Sequence, residues 1–365
     1  MKLSVTQENL ARALSTVGRV ASSKTSLPVL GNILLRTEDN QLFIASTNLE
    51  IAISERIGGK IDREGSFTVP ARLMSEFISS LPNDTVELEL IGNSLNIKSG
   101  RYTSKIVGVP ADEFPALPDI EPTFEYNLDA QDFKRAIQQT VIVASHDDTR
   151  PVLTGAFWHA FEGNLYIAAT DGYRLTERLL QKQDGEANSA IIPASTLQDV
   201  VRVMRDDITS IKILFDENQV RFLLGTIDIT SKLIDGKFPD YRQLIPKDSE
   251  ITATLKKDAF NRVVKIASLF ARDSGGGVTL ETSVEEKVLR IQSIASQLGE
   301  NTSDAEADIN GDGKITLNSR YIIEALSCFD NAELSFSFSG KLAPSVLTTH
   351  EKNPAYKHVI MPLKS

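Results

Sequence analysis

The chain has 365 residues, of which 41% are hydrophobic and 24% are charged. This composition is typical of a folded globular protein with more than one domain, and it argues against general disorder. The formal net charge of −10 argues, taken alone, against a protein that binds nucleic acid, but the distribution of charge along the chain matters more than its sum.

The amino-terminal segment, M-K-L-S-V-T-Q-E-N-L, is amphipathic and contains no apolar run long enough for a signal peptide or a membrane span. We therefore expect a cytoplasmic protein. The segment leads into the first of three helices that have similar patterns, over residues 6–22, 129–145 and 256–272. Their leading apolar residues, which are 123 and 127 residues apart, are Leu10, Phe133 and Phe260.

Each of these helices has an apolar or small side chain four, seven and eleven positions after its leading residue, with Thr140 the one polar member. The spacing follows the helical period and predicts one buried stripe on each helix. Two positions after the leading residue, about 200° round the helix, each helix has an arginine. These arginines, which we expect to point away from the core, are Arg12, Arg135 and Arg262.

A second helix follows in each repeat, over residues 71–81, 194–205 and 317–328. The first two start after a proline, which is favoured at that position because its missing N–H needs no partner there. Short β-type runs separate the helices, so each repeat is predicted to be an α+β domain of about 120 residues. The predicted domains are 1–122, 123–248 and 249–365. Cys328, the only cysteine, ends the last helix, and we expect a buried structural thiol.

Basic charge is concentrated in the predicted helices. The six segments carry 13 basic and 7 acidic residues, although the whole chain has 39 basic and 49 acidic ones. A solvated face explains any one of these helices, but the outward arginine occurs in three repeats. A row of such helices would present a positive stripe suited to phosphate contacts, which bind any sequence.

Six short motifs connect the chain to a known family. They are L-P-V-L-G-N-I-L-L (27–35), V-P-A-R (69–72), A-D-E-F-P (111–115), A-T-D-G-Y-R-L (169–175), K-F-P-D-Y-R (237–242) and V-I-M-P-L (359–363). In this order and at this spacing the chain resembles the bacterial sliding clamps, the β subunits of DNA polymerase III. The resemblance implies a processivity factor without catalytic residues, metal or other cofactors. It also implies three clamp domains per chain, each with two helices packed on antiparallel sheets, and a head-to-tail dimeric ring around duplex DNA.

The resemblance implies two further surfaces. Together with the helix pattern it gives a set of DNA-contacting residues: Arg12, Lys24, Arg72, Arg135, Arg150, Arg202 and Arg262. It places the contact between subunits at Ile106, Leu269 and Phe270. The helical phase agrees for Leu269, because it falls on the outward face of its helix, where an unpartnered leucine is unusual.

The resemblance also implies a pocket between the second and third domains for a short peptide rich in glutamine and leucine, carried by polymerases, the clamp loader and repair proteins. Its walls are Leu153, Thr170, Gly172, Tyr173, Arg174, Leu175, Pro239, Leu244, Asn318, Tyr321, Met361, Pro362 and Leu363. Apolar walls with a few polar groups suit a peptide with apolar anchors. The chain has Tyr173 and Gln243 where the family often has histidine and arginine, so its peptide preference is left open.

Other functions are less well supported by the residues. An enzyme would need a catalytic group, but Ser145, His146 and Asp147 are adjacent in sequence and point in different directions. A repeat protein that binds nucleic acid without forming a ring is another alternative. A calcium-binding module is suggested by D-I-N-G-D-G-K-I-T (308–316), which has the spacing of a calcium loop. However, Ser319 occupies the twelfth position, where a glutamate is needed, so we interpret the stretch as a hairpin turn.

Overall fold

The computed structural model describes residues 1–21, 27–183, 185–271, 275–295, 299–351 and 353–363. Its contacts divide the chain into two units, Met1–Gln131 with Asp199–Leu233, and Asp132–Gln198 with Ile234–Ser365. The middle repeat of the sequence is therefore shared between the two units. The division into three domains at the boundaries given above stays a prediction.

Each of the six predicted helical segments contains a helix. The helices are α1 (Gln7–Val17), α2 (Ala71–Ser79), α3 (Ala130–Val141), α4 (Ala194–Val203), α5 (Lys257–Ser268) and α6 (Ser319–Ser327). Side-chain caps are seen at α1 and α6: the Thr6 hydroxyl accepts from the amide of Asn9 at the start of α1, and the Asn318 carboxamide oxygen accepts from the amide of Arg320 at the start of α6. Such caps satisfy amide groups that the helix leaves unpaired.

The described residues form 25 strands. They are β1 (Lys2–Thr6), β2 (Asn32–Glu38), β3 (Gln41–Thr47), β4 (Ile51–Gly58), β5 (Lys60–Arg63), β6 (Ser66–Pro70), β7 (Thr85–Ile91), β8 (Ser94–Ser99), β9 (Tyr102–Val107), β10 (Phe124–Asp129), β11 (Gly155–Phe161), β12 (Asn164–Thr170), β13 (Arg174–Lys182), β14 (Ala190–Pro193), β15 (Ser210–Phe215), β16 (Gln219–Leu224), β17 (Ile227–Lys232), β18 (Ile251–Lys256), β19 (Gly277–Ser283), β20 (Val288–Ala295), β21 (Gly299–Ile309), β22 (Gly313–Asn318), β23 (Glu333–Phe338), β24 (Ser345–Thr348) and β25 (Tyr356–Ile360).

The first unit contains two sheets. Their strand orders are β5-β1-β7-β8-β9 and β10-β15-β16-β17-β4-β3-β2-β6. In the second of these, the antiparallel pairing of β17 with β4 joins strands of the middle repeat to strands of the first. The second unit has one twelve-stranded sheet, ordered β14-β11-β12-β13-β25-β24-β23-β18-β21-β20-β19-β22. Here β13 and β25 make the same kind of antiparallel junction between the middle and last repeats.

The helices bury the stripes that the sequence predicts. Leu10, Phe133 and Phe260 are at most 1% exposed, and the side chains that follow them along each stripe are buried too, apart from the partly exposed Ala21. In the last repeat, Phe260 packs in a core with Phe336 and Phe338, whose rings are 5.4 Å apart. The prediction of three amphipathic helices is confirmed.

The D-I-N-G-D-G-K-I-T stretch is a tight connection but not a hairpin, so that interpretation is wrong. β21 pairs with β18 and β20, whereas β22 pairs with β19. The side chain of Asn310 accepts from the amide of Thr252 at 2.6 Å, and that of Asp312 accepts from the amide of Val284 at 2.7 Å. The oxygens that resembled calcium ligands therefore hold the connection against neighbouring strands.

Glycine is needed in this connection for space rather than for an unusual backbone angle. None of residues 310–313 has a positive φ. A Cβ added at Gly313 would lie 2.2 Å from Ile251 Cδ1 and 3.3 Å from the ring of Phe338. The close approach of β22 to this core explains the glycine.

Candidate functional site

A turn over residues 170–174 joins β12 to β13 and forms one wall of the candidate pocket. The Thr170 hydroxyl donates to the carbonyl oxygen of Arg174 at 2.7 Å and accepts from the amide of Gly172 at 3.1 Å. The Asp171 carboxylate accepts from the amides of Tyr173 and Arg174. Gly172 has φ of 93°, which favours glycine. The turn thereby holds the Tyr173 side chain 61% exposed at the surface.

Arg174 lies behind this turn and is only 7% exposed. Its guanidinium forms ion pairs with Asp171 and Glu324 and donates to the carbonyl oxygen of Ile142 at 3.0 Å. It also lies over the Tyr321 ring, 4.5 Å from the centroid. One cation thus ties the turn to helix α6, and a planar guanidinium suits such a fork of acceptors.

The charges around Arg174 are set by their neighbours. Burial opposes ionisation of Glu324, but hydrogen bonds from Arg320 and Arg174 lower the pKa of its carboxyl. Burial raises the pKa of the Tyr321 phenol. At neutral pH the pocket therefore has a charged carboxylate at its base and a protonated tyrosine beside it.

The carboxy-terminal segment crosses the end of the turn. The amide of Met361 donates to the carbonyl oxygen of Tyr173 at 2.9 Å, and the amide of Leu363 donates to that of Thr316 at 2.9 Å. Thr316 belongs to β22, which leads to Asn318 at the start of α6. Main-chain bonds thus bring together three parts of the predicted pocket that are far apart in sequence.

Under these walls lies an apolar floor. The cluster consists of Leu153, Ala168, Leu175, Ile191, Phe238, Tyr241, Val346 and Val359. Pro239 is exposed beside Phe238, and Leu244 is 42% exposed three residues after Tyr241. A surface with an apolar floor, half-exposed apolar rims and few polar groups can hold an extended peptide by its aliphatic side chains.

The structure brings all the predicted pocket residues into the second unit. Thr170 and Asn318 serve there as structural caps, because their side chains bond to neighbouring backbone. Sequence reasoning missed Asp171, Glu324 and the carbonyl of Ile142, which fix Arg174. An Asx-turn signal at Asp171-Gly172 could have found the first of these.

The predicted DNA-contacting residues are exposed wherever the structure describes them. Most have a polar partner nearby: Arg12 with Asn9, Arg72 with Glu76, Arg135 with Asp330, Arg150 with Asp147, and Arg202 with Asp199. Exposed pairs of this kind are weak, so a phosphate can replace the partner. Arg262 is also exposed on its helix, and Lys24 lies outside the described residues.

Arg150 also lies close to the turn of residues 170–174. A Cβ at Gly172 would lie 3.5 Å from its guanidinium. It therefore borders the turn of the candidate pocket, whereas the family resemblance implies that it contacts DNA.

The predicted subunit-contact residues differ in exposure. Leu269, at the end of α5, is 54% exposed, and Phe270 is partly exposed. Ile106 on β9 is only 3% exposed, so its side chain packs within its own unit. The exposed apolar side chain on that edge strand is Val107, at 66%. Strand alternation, which puts neighbours on opposite faces, could have indicated this.

Family models match almost the whole chain. Models of the N-terminal, central and C-terminal domains of the DNA polymerase III beta subunit match residues 1–118, 127–240 and 242–364 of this chain, respectively. The chain belongs to the DNA polymerase III beta subunit family, the bacterial sliding clamps. No support for a calcium-binding module comes from these matches.

Individual relatives agree with this family. The beta sliding clamps of Staphylococcus epidermidis and Staphylococcus aureus are each 29% identical over 377 residues, with both chains covered completely. The crystal structure of the Bacillus subtilis sliding clamp has a TM-score of 0.95 at 28% identity, covering 100% of this chain and 99% of that one. A Pseudomonas aeruginosa clamp bound to griselimycin has the same TM-score at 24% identity, with both chains covered completely, and so shows the shared fold.

Two further observations concern the described residues only. None of their helices is both long and apolar enough to cross a membrane. They also contain no group of three or more His, Cys, Asp or Glu side chains placed to hold a metal ion.

Proposed function

We propose that the protein is a cytoplasmic, non-catalytic processivity factor whose dimer encircles duplex DNA and tethers polymerase, clamp loader and repair proteins through short peptides. It would consist of the three domains 1–122, 123–248 and 249–365. The observation that supports a ring is that edge strands of neighbouring repeats pair with each other in the same way at two junctions. β4 pairs with β17 and β13 pairs with β25, whereas in the described chain β9 and residues 299–306 of β21 each have one edge without a partner strand.

The internal repeats give a register for the missing pairing. At the first junction Glu55 faces Ile227, and at the second Arg178 faces Tyr356. Within their hairpins, Glu55 pairs with Ile44 and Arg178 with Ile167. The corresponding hairpin pair in the last repeat is Ile291 with Ser303.

The strands β9, β17 and β25 occupy equivalent places in the three repeats, and their first residues are Tyr102, Ile227 and Tyr356. Repeating the junction between two chains therefore places Ser303 opposite Tyr102 of a second copy. In an antiparallel register Glu300 then faces Lys105 of that copy, and opposite charges on facing residues stabilise a sheet. Closing both edges in this way also removes two exposed strand edges and gives a two-fold ring.

DNA binding is supported by the exposed arginines on the helices. A lining of weakly paired basic side chains would neutralise phosphates without reading bases, so the ring could slide. The peptide pocket is supported by the apolar floor and the turn of residues 170–174. The Pseudomonas aeruginosa clamp was crystallised with griselimycin bound, which is in keeping with a ligand site on this fold.

Disulfide cross-linking tests the proposed dimer. Glu300→Cys and Lys105→Cys should form a covalent dimer under mild oxidation when both substitutions are in one chain. The matched control pairs Glu300→Cys with Lys98→Cys on β8, which the proposed register keeps away from the second copy. Cross-linking only in the control, or a monomer by light scattering at micromolar concentration, would contradict the proposed interface.

A further inference from the structure

The turn of the candidate pocket has a counterpart in the first unit. In both turns a threonine hydroxyl donates to the carbonyl oxygen four residues later, from Thr47 to Ile51 at 2.9 Å and from Thr170 to Arg174 at 2.7 Å. In both, an amide at the end of the junction strand donates to the turn: that of Lys232 to the carbonyl of Glu50 at 3.0 Å, and that of Met361, directly after β25, to the carbonyl of Tyr173 at 2.9 Å. The repeats therefore provide an internal reference for the pocket.

The layers beneath these two turns differ. F-P-A-L in the first unit corresponds to F-P-D-Y in the second, so Leu117 stands where the pocket has Tyr241. Counting from the matched threonines, Ser54 stands where the pocket has Glu177. In the first unit Leu117 packs against an apolar cluster around Phe43 and Phe114, and the guanidiniums of Arg36 and Arg56 lie over the Phe43 ring. The fold itself therefore does not require a pair of tyrosine and carboxylate at these two positions.

In the second unit a buried network occupies the corresponding space. The Tyr241 hydroxyl donates to Glu177 Oε2 at 2.7 Å and lies 2.7 Å from His159 Nε2. Because the single proton of the hydroxyl goes to Glu177, the histidine nitrogen is the donor. Arg242 and Lys357 lie 2.8 and 3.7 Å from the same carboxylate, which is 4% exposed.

This network joins the segments that form the pocket. The carbonyl of Tyr241 accepts from the amide of Leu244 at 2.9 Å, which sets the position of that exposed leucine. Glu177 is two residues after Leu175 on β13, so both side chains point to the same face. Lys357 faces Glu177 on β25, the strand that leads to Met361.

A buried carboxylate is costly to keep unless it is paired and hydrogen-bonded. Residues 238–244 contain only one short 3-10 turn, so this segment has few backbone bonds of its own to hold it. The second unit has a polar anchor, Tyr241, at the position where the first unit has Leu117. This difference indicates that the candidate pocket, rather than the fold, requires the anchor.

We propose that Tyr241 and Glu177 are positioning residues of the peptide pocket. They hold the segment of residues 238–244 in its binding conformation before the peptide arrives. The inference rests on the proposed peptide-binding function. If binding needs this conformation, loosening the segment reduces the fraction of competent protein and so raises the apparent Kd.

The test uses Tyr241→Phe in the full-length protein and a fluorescein-labelled peptide, acetyl-Gln-Leu-Leu-Leu-Leu. Stopped-flow anisotropy should show an association rate reduced about three- to tenfold, with the dissociation rate unchanged. Hydrogen exchange at the amide of Leu244 should accelerate, while the exchange of core strands stays as in the parent. Glu177→Gln should slow association in the same direction.

Tyr166→Phe is the matched control, because it removes a hydroxyl from the same aromatic layer but not from the network. It should bind as the parent protein does. Equal association rates for Tyr241→Phe and the parent would overturn the positioning role. Failure of the parent to bind the peptide would instead count against the proposed function, so the two outcomes are distinguishable.

Discussion

The amide of Met361 donates a hydrogen bond to the carbonyl oxygen of Tyr173, 2.9 Å away. This bond joins the carboxy-terminal segment to the turn that forms the opposite wall of the candidate pocket. Because the amide of Leu363 also bonds to Thr316, the segment is held at both ends. The pocket is thus assembled from the last residues of the chain, and its integrity depends on them.

Deleting Met361 to Ser365 should abolish binding of the labelled peptide. The deletion removes both main-chain hydrogen bonds and three residues that line the pocket, Met361, Pro362 and Leu363. It removes no residue of the core around Phe260, so the fold should remain intact. Fluorescence anisotropy measures the binding, and circular dichroism the fold. Leu342→Ser, at a 76% exposed leucine elsewhere in the second unit, is the control and should bind normally. Undiminished binding by the shortened chain would contradict the pocket.

Replacing Arg174 by methionine should destabilise the second unit by about 3 kcal/mol, because breaking a buried ion pair leaves its partners unpaired. Asp171 would lose its charged partner, Glu324 one of its two arginines, and the carbonyl of Ile142 its donor. Arg320→Ala is the matched control. It removes an exposed arginine from the same Glu324, and exposed pairs contribute less than about 1 kcal/mol. Urea unfolding measures both variants, and equal effects would argue against a structural role for the buried arginine.

Acidification should destabilise the protein through His358, which is fully buried. Burial lowers the pKa of His358 to about 3. The unfolded chain takes up this proton near pH 6.5, whereas the folded one resists it, so the unfolding free energy falls as pH drops from about 6.5 towards 3. The loss should be roughly 2 kcal/mol between pH 7 and pH 5.

Urea unfolding at several pH values measures this dependence. His358→Gln should have a shallower slope between pH 7 and pH 5 than the parent, whatever its absolute stability. His146→Gln, at an exposed histidine, should keep the parent's slope. A parent slope that is unchanged in His358→Gln would show that other groups cause the acid sensitivity.

Substituting Gly313 by alanine should cost about 1–3 kcal/mol of stability, because the new methyl group would overlap Ile251 and the core adjusts poorly to extra volume. Gly58→Ala is the control, since a Cβ there meets nothing within 4 Å. Thermal unfolding compares the two. If both variants have the melting temperature of the parent, the close approach of Gly313 to Ile251 does not explain the glycine.

Calorimetry with calcium should show no binding to the protein at micromolar concentration.

The sequence could predict what depends on local periodicity. The stripe led by Phe260 and the outward Arg262 follow from helical spacing alone, and the structure confirms both. The sequence could not predict which strands pair on either side of D-I-N-G-D-G-K-I-T. Turn residues have the same local chemistry whether the two flanking strands pair with each other or with other strands. In the folded chain these turn side chains accept from the amides of Thr252 and Val284, which are distant in sequence.

The pocket shows the same limit. The family resemblance implies its walls, but the anchoring of Arg174 by Glu324, 150 residues away, follows only from the folded chain. Likewise, the resemblance implies that Ile106 lies at the subunit contact, but the burial of its side chain depends on which face of β9 packs inward. Long-range packing, rather than local preference, decides these positions.

The central claim is that the protein stays on DNA because it encloses it. The direct measurement is to load the protein with its clamp loader onto nicked circular DNA, linearise the DNA, and determine the fraction still bound by gel filtration. A ring slides off the free ends, so linearisation should release most of the protein at moderate salt. Equal retention on circular and linear DNA would contradict topological binding.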